Sequence, residues 1–175
     1  IDAGPFASHV GFTEEETKEL CKQYGCDFAE FQRWYDGYKL SEDVSLLNPK
    51  SVTSSISRKR MGSYWSATGS FEALKDYIMM DFAGIKQDVI KMISGESVPV
   101  NVMKFQNTLQ SITNKDNAFT YLIHLGYLSY NYEEQTCCIP NEEVRLEWVN
   151  AIDDEEDYST IMNIVNASKK LLDAT

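Results

Sequence analysis

Paired helix-start and helix-stop signals punctuate this chain and restrict it to a succession of short helices. Thr13 followed by Glu16 reads as a capping box, in which each side chain satisfies the other residue's backbone N–H. Glu14, Glu15 and Glu16 place negative charge at the positive end of that helix. Gly25 stops it, and Asp27, with Glu30 three residues on, starts the next. Phe28, Phe31, Trp34 and Tyr35 then recur on one helical face, which Asp36-Gly37 ends. The two helices read as a helical hairpin. Asn48-Pro49 is another start, with Asn as N-cap and Pro at the first helical position. That helix runs to about Ser57, and Gly62-Ser63-Tyr64-Trp65 breaks the pattern. Ser70 caps a helix through Leu74, Tyr77 and Ile78, and another spans residues 82–94. Asn141 caps a further core helix with Val144, Trp148, Val149 and Ile152 apolar.

Extended structure is confined to short pieces. Residues 38–47 lack helix signals and suit a small strand or hairpin. Residues 97–102 alternate, and Pro99 demotes them to an edge strand. Residues 117–125 read as a helix ended by Gly126. Residues 127–130 and 136–139 flank the polar turn 131–135 and read as a β-hairpin. The expected fold class is mainly α with small β elements. The five carboxylates of residues 153–157 read as a solvated linker, followed by a helix over residues 159–172.

The 175 residues include three Trp, ten Tyr and eight Phe, enough apolar surface for a packed core. The formal net charge of −11 repels phosphate backbones, so nucleic-acid binding is disfavoured. The one dense basic run, Arg58-Lys59-Arg60, reads as a solvated helix end. No stretch approaches the roughly 18 apolar residues that span a bilayer, and no membrane association is expected. The N-terminal Ile1-Asp2-Ala3-Gly4-Pro5 has neither an initiator Met nor a signal-peptide pattern, and reads as the middle of a longer chain. Cys21, Cys26, Cys137 and Cys138 read as reduced thiols of a cytoplasmic protein. Adjacent Cys137 and Cys138 on a strand face opposite ways, so one of them is expected inside.

Chemistry-bearing motifs are missing. No phosphate loop is present, since no Gly is followed by the Lys-Ser/Thr pair that holds phosphate and magnesium. His124 is one of only two histidines and lies in an apolar helical stretch; it reads as a partly buried structural residue. Neither cysteine pair has zinc-site spacing. Glu16-Thr17-Lys18 matches half of a metal-nuclease motif but lies on a capped helix surface. Residues 153–157 lack the glycine and the distal Glu of a calcium loop. No catalytic residue, cofactor or metal is therefore expected. One constellation remains: Trp34-Tyr35-Asp36-Gly37-Tyr38, an Asp-Gly turn flanked by aromatics. It reads as a buried structural corner, with packing on a neighbouring domain as the functional alternative.

Taken in order, GFTEEE at 11–16, Trp34-Tyr35-Asp36-Gly37-Tyr38, Asn48-Pro49, Tyr64-Trp65 with Ala67-Thr68-Gly69, LGYLSY at 125–130 and IPNEEVR at 139–145 resemble the predicted AAA-ATPase-like proteins of bacteria. In that family a P-loop ATPase-like domain precedes this region and a nuclease-like domain of the PD-(D/E)XK superfamily follows it. The resemblance covers nearly the whole chain. It implies a helical, bundle-like lid over residues 1–95 and a winged-helix-like segment with a small β-hairpin over residues 96–152. It further implies an acidic linker and the leading helix of a truncated C-terminal domain over residues 153–175. Where Lys50 follows Asn48-Pro49, the family often has an aromatic or apolar residue.

The function expected on these grounds is a non-catalytic regulatory and packing module between a nucleotide-binding and a nuclease-like domain. Its partners would be those adjacent domains, with self-association through helix 159–172. The alternative is a DNA-binding winged helix of a mobile-element or defence nuclease. The would-be recognition helix 117–125 has no Lys or Arg, and the hairpin turn carries Glu133 and Glu134, which favours protein contact.

Overall fold

The first helix starts where the capping box predicts. The Thr13 N–H donates to the Glu16 carboxylate at 2.9 Å and the Thr13 side chain accepts from the Glu16 amide, so α1 (Glu14–Tyr24) has a closed N-terminus. The computed structural model describes residues 11–41, 44–65, 84–103 and 112–153. Gly25, at φ +67°, ends α1 and lets the Cys26 N–H reach the Cys21 carbonyl at 2.9 Å. Asp27 accepts from the Ala29 amide and opens α2 (Phe28–Tyr35). Asn48 accepts from the Lys50 and Ser51 amides and opens α3 (Pro49–Arg58).

The strands β1 (Phe12–Thr13), β2 (Tyr38–Ser41) and β3 (Val44–Leu47) form an antiparallel sheet in the order β1-β3-β2. The second half contributes α4 (Ile85–Ile93), β4 (Val98–Pro99), α5 (Lys115–His124), β5 (Ser129–Asn131), β6 (Thr136–Cys138) and α6 (Glu142–Asp153). Its sheet has the antiparallel order β4-β6-β5. β4 is an edge strand, where the missing N–H of Pro99 costs little. Hairpin β5–β6 turns through residues 132–135. The protein is therefore mainly α with small antiparallel sheets. Among the described residues, no helix is long and apolar enough to cross a membrane.

Two hydrophobic cores form. The first gathers Cys21, Phe31, Tyr35, Leu47, Val52 and Tyr64 from α1, α2, β3, α3 and the segment after it. The second gathers the inner faces of α4, α5 and α6 with the β4-β6-β5 sheet, around Val89, Phe119, Leu122, Trp148 and Ile152. α4 thus packs with the second unit although it precedes residue 95. The buried Trp148 indole N–H donates to the Tyr127 carbonyl at 3.1 Å, so the largest core side chain leaves no donor unpaired.

Several sequence expectations shift. Helix α5 starts at Lys115, two residues before the expected 117, because the Asn114 side chain accepts from the Asn117 amide and serves as N-cap. His124, expected to be partly buried, is exposed in the last turn of α5. Asp153, expected to open the acidic linker, closes α6. The helix expected from Ser70, the rest of the acidic run and the helix at 159–172 lie outside the described residues. All four cysteines are free thiols, with Cys137 buried and Cys138 half-buried on opposite faces of β6.

Candidate functional site

The N-terminus of α6 is where the two cores meet. Asn141 caps α6 by accepting from the Val144 amide at 3.0 Å, and its side-chain amide donates to the Asp36 carbonyl at 2.7 Å. One side chain thus closes a helix of the second core and grips the corner that ends α2. Gly37, at φ +107°, lies so close to Pro140 that a Cβ there would stand 2.2 Å from the Pro140 carbonyl oxygen. A left-handed backbone and a close backbone approach both require Gly here.

The aromatics around this turn divide their roles. Tyr35 is 0% exposed and packs edge-on against Phe31 at 5.7 Å between ring centroids. Its hydroxyl donates to the Gly62 carbonyl at 3.1 Å and accepts from the Gly62 N–H at 3.2 Å. Burial pushes this phenol above its usual range. Trp34, expected in the buried corner, is only half-buried at the edge of the first core. Helix rotation explains the difference, because residue 35 continues the 28–31 stripe inward while residue 34 leads to its rim. The Tyr38 hydroxyl donates to the Gly126 carbonyl at 3.1 Å, joining β2 to the turn after α5, and burial raises its phenol strongly. The Asp36 carboxylate accepts from the Ser45 hydroxyl.

Segment 62–65 crosses between the cores. The Tyr64 ring packs in the first core, under the Arg58 guanidinium at 5.1 Å from the ring centroid. The next residue, Trp65, packs against the second core, 4.9 Å from Tyr127 between ring centroids. The amides of both donate to one oxygen of Glu143 on α6, at 2.7 and 3.0 Å. The Ser51 hydroxyl, one turn into α3, lies 2.8 Å from both oxygens of the same carboxylate. One turn further along α6, Glu147 accepts from the Ser63 hydroxyl at 2.6 Å. Asn48 and Pro49, singled out as a helix start, set the position of Ser51.

Glu143 is 1% exposed and Glu147 is 5% exposed. Among the described residues, no Lys or Arg pairs with either. Burial raises the Glu143 carboxyl above its ordinary value of 4.5, against the lowering effect of the two amides and Ser51, and the nearby Glu147 raises it further. Ionising a buried carboxyl costs free energy unless donors or a cation compensate. Here donors alone do so.

The structure therefore brings together Tyr35, Asp36, Gly37, Tyr38, Tyr64 and Trp65 around the start of α6, with Trp34 at the rim of the first core. Sequence reasoning missed Ser51, Ser63, Glu143, Glu147 and the second bond of Asn141. The sequence signal was faint, since Glu142 and Glu143 both fall in the first turn of α6 and look alike there. Glu142 is half-buried and pairs with Arg145 at 2.6 Å. The described polar groups of this arrangement are buried or half-buried and bonded to one another. No group of three or more metal-ligating side chains occurs among the described residues. The chain matches no protein-family model, no curated protein and no solved structure.

Proposed function

We propose that this chain is a non-catalytic regulatory and packing module that couples two neighbouring domains. On the resemblance to predicted AAA-ATPase-like proteins, those neighbours are a nucleotide-binding domain and a nuclease-like effector domain of a cytoplasmic protein. The observation that supports this reading is the joint itself. Three chain segments distant in sequence converge on the first turns of α6 through Asn141, Glu143 and Glu147. A movement of the first core relative to the second would strain those bonds, along with the Tyr38–Gly126 bond.

We read α5, the β5–β6 hairpin and α6 as winged-helix-like in order, and we assign that shape to protein contact. Asn117, Ala118, Phe119, Thr120 and Leu122 of α5 are buried, and the exposed hairpin turn carries Glu133 and Glu134. Both features oppose docking on a phosphate backbone. The alternative, a DNA-binding winged helix, makes a different prediction at the bench.

Two measurements test the reading. The chain titrated with magnesium-ATP by calorimetry, and with duplex DNA in a shift assay, is expected to bind neither. Tight, salt-sensitive DNA binding would replace the proposal with the alternative. In the full-length parent, Gly37→Ala is expected to change the nucleotide dependence of the effector's activity while nucleotide affinity stays constant. An unchanged dependence would remove the coupling role.

A further inference from the structure

The turn between α1 and α2 brings two thiols together. Gly25 closes α1 in a Schellman turn, in which the Cys26 N–H donates to the Cys21 carbonyl at 2.9 Å. With standard backbone dimensions, that bond holds the two Cα atoms within about 7 Å, the reach of a disulfide. In such a turn the two side chains that flank this bond commonly meet. Cys21 is 2% exposed inside the first core, and Cys26 packs against that core. The Cys26 Sγ also lies 3.9 Å from the Tyr24 carbonyl oxygen of the same turn. Both thiols are free.

The two sulfurs differ in access. Cys26 is half-buried and lines a cleft of about 370 Å³ together with Tyr24, Phe31, Ile56 and Arg60. Cys21 is inside, and burial raises its thiol. The thiolate is the attacking species in disulfide exchange, and attack requires access. An incoming disulfide therefore meets Cys26 first, and Cys21 stands in position to resolve the product.

We infer that Cys21 and Cys26 form a redox-sensitive dithiol that closes to a disulfide by exchange with a low-molecular-weight disulfide, and so pins the turn between α1 and α2. In the first step Cys26 loses its proton and attacks one sulfur of the small disulfide. A mixed disulfide forms, and the other half leaves as a thiolate that takes up a proton. In the second step Cys21 loses its proton and attacks the Cys26 sulfur, and the second small thiolate leaves and is protonated. Two protein thiols and one small disulfide thus become one protein disulfide and two small thiols. The bridge ties the last turn of α1 to the residue before Asp27, the N-cap of α2. It restricts the unfolded chain more than the folded one, which already holds this turn closed, so oxidation stabilises the first core. The site lies wholly within that core and stands or falls independently of the coupling role.

The experiment incubates the folded, reduced chain with oxidised glutathione at mildly alkaline pH. Remaining thiols are then alkylated, and the chain is digested with trypsin without reduction. Trypsin cuts after Lys18, Lys22 and Arg33, so the two cysteines fall on separate peptides, 19–22 and 23–33. These peptides are expected to travel as one linked species and to part on reduction. The unfolding midpoint of the linked chain is expected to rise and to return on reduction. In Cys21→Ala, Cys26 is expected to keep the glutathione adduct, because nothing resolves it. In Cys26→Ser, Cys21 is expected to stay unmodified while the chain is folded. Should Cys21→Ala not fold, the parent chain decides the matter. A parent in which Cys26 carries glutathione while Cys21 stays free, in which neither reacts, or in which Cys26 links to Cys137 or Cys138 overturns the inference. An unchanged midpoint in the linked chain overturns the pinning of the turn.

Discussion

Gly37 and Pro140 touch backbone to backbone across 103 residues of sequence, with Gly37 at φ +107° and room for no Cβ between them. The turn after α2 and the approach to α6 are thereby held at hydrogen-bond range, and Asn141 bonds the Asp36 carbonyl next to that contact. Replacing Gly37 by Ala imposes an unfavourable backbone conformation, costing about 1–3 kcal/mol, and the Pro140 clash adds to that. Gly25 offers the control: its φ is +67° and nothing lies within 4 Å of a Cβ there. Gly25→Ala is expected to cost only about 1–2 kcal/mol. Urea unfolding midpoints of the two variants check the order, and equal losses would mean that the Gly37–Pro140 contact yields freely.

Tyr35, rather than Trp34, is the anchor of the aromatic corner. Tyr35→Ala is expected to lose about 3–5 kcal/mol, as other large buried aromatics do on truncation. Trp34→Ala should lose clearly less, because its ring already meets solvent. Tyr35→Phe removes both bonds to the half-buried Gly62 backbone, at a cost of about 1 kcal/mol per bond. Thermal unfolding of the three variants ranks them. A Trp34→Ala variant less stable than Tyr35→Ala would contradict the assignment.

Asn141 has two separable roles. Asn141→Asp keeps an oxygen for the Val144 amide but has no donor for the Asp36 carbonyl. Its expected loss is about 1 kcal/mol, the net worth of one hydrogen bond. Asn141→Ala removes the cap as well and is expected to lose about 1 kcal/mol more. Chemical denaturation resolves the two steps; identical losses for Asp and Ala would show that the bridge, not the cap, carries the whole effect.

The four thiols are expected to react in two classes. Burial raises the Cys21 thiol and pushes Cys137 up to about 12, so both are protonated and shielded at mildly alkaline pH. Cys26 and Cys138 are half-buried and reach solvent. Alkylation of the native protein near pH 8, followed by peptide mass mapping, should label Cys26 and Cys138 first and Cys137 only on unfolding. Early labelling of Cys137 would show that β6 opens readily.

Most of what depended on neighbouring residues was legible in the sequence, the Asn114 cap of α5 being the exception. Thr13, Asp27, Asn48 and Asn141 cap helices because their side chains reach amides two or three residues away, a geometry that short spacing alone sets. The β5–β6 hairpin and the edge position of Pro99 follow from similarly local turn and donor chemistry. The acidic composition and the absence of a phosphate loop are equally plain from the residues.

Tertiary structure decided which polar groups were taken inside. Glu142 and Glu143 are adjacent and chemically alike, yet Glu142 is half-buried beside Arg145 while Glu143 is fully buried. The partners that satisfy Glu143 lie 92, 79 and 78 residues away, at Ser51, Tyr64 and Trp65. Helical periodicity specifies that two such neighbours point apart, but the direction that faces protein is set by where α3 and segment 62–65 come to rest. The free energy of burying a carboxylate depends on donors that no local window contains. That is why capping residues could be read from the chain itself, whereas the paired carboxylates at the joint emerged only once the two cores had met.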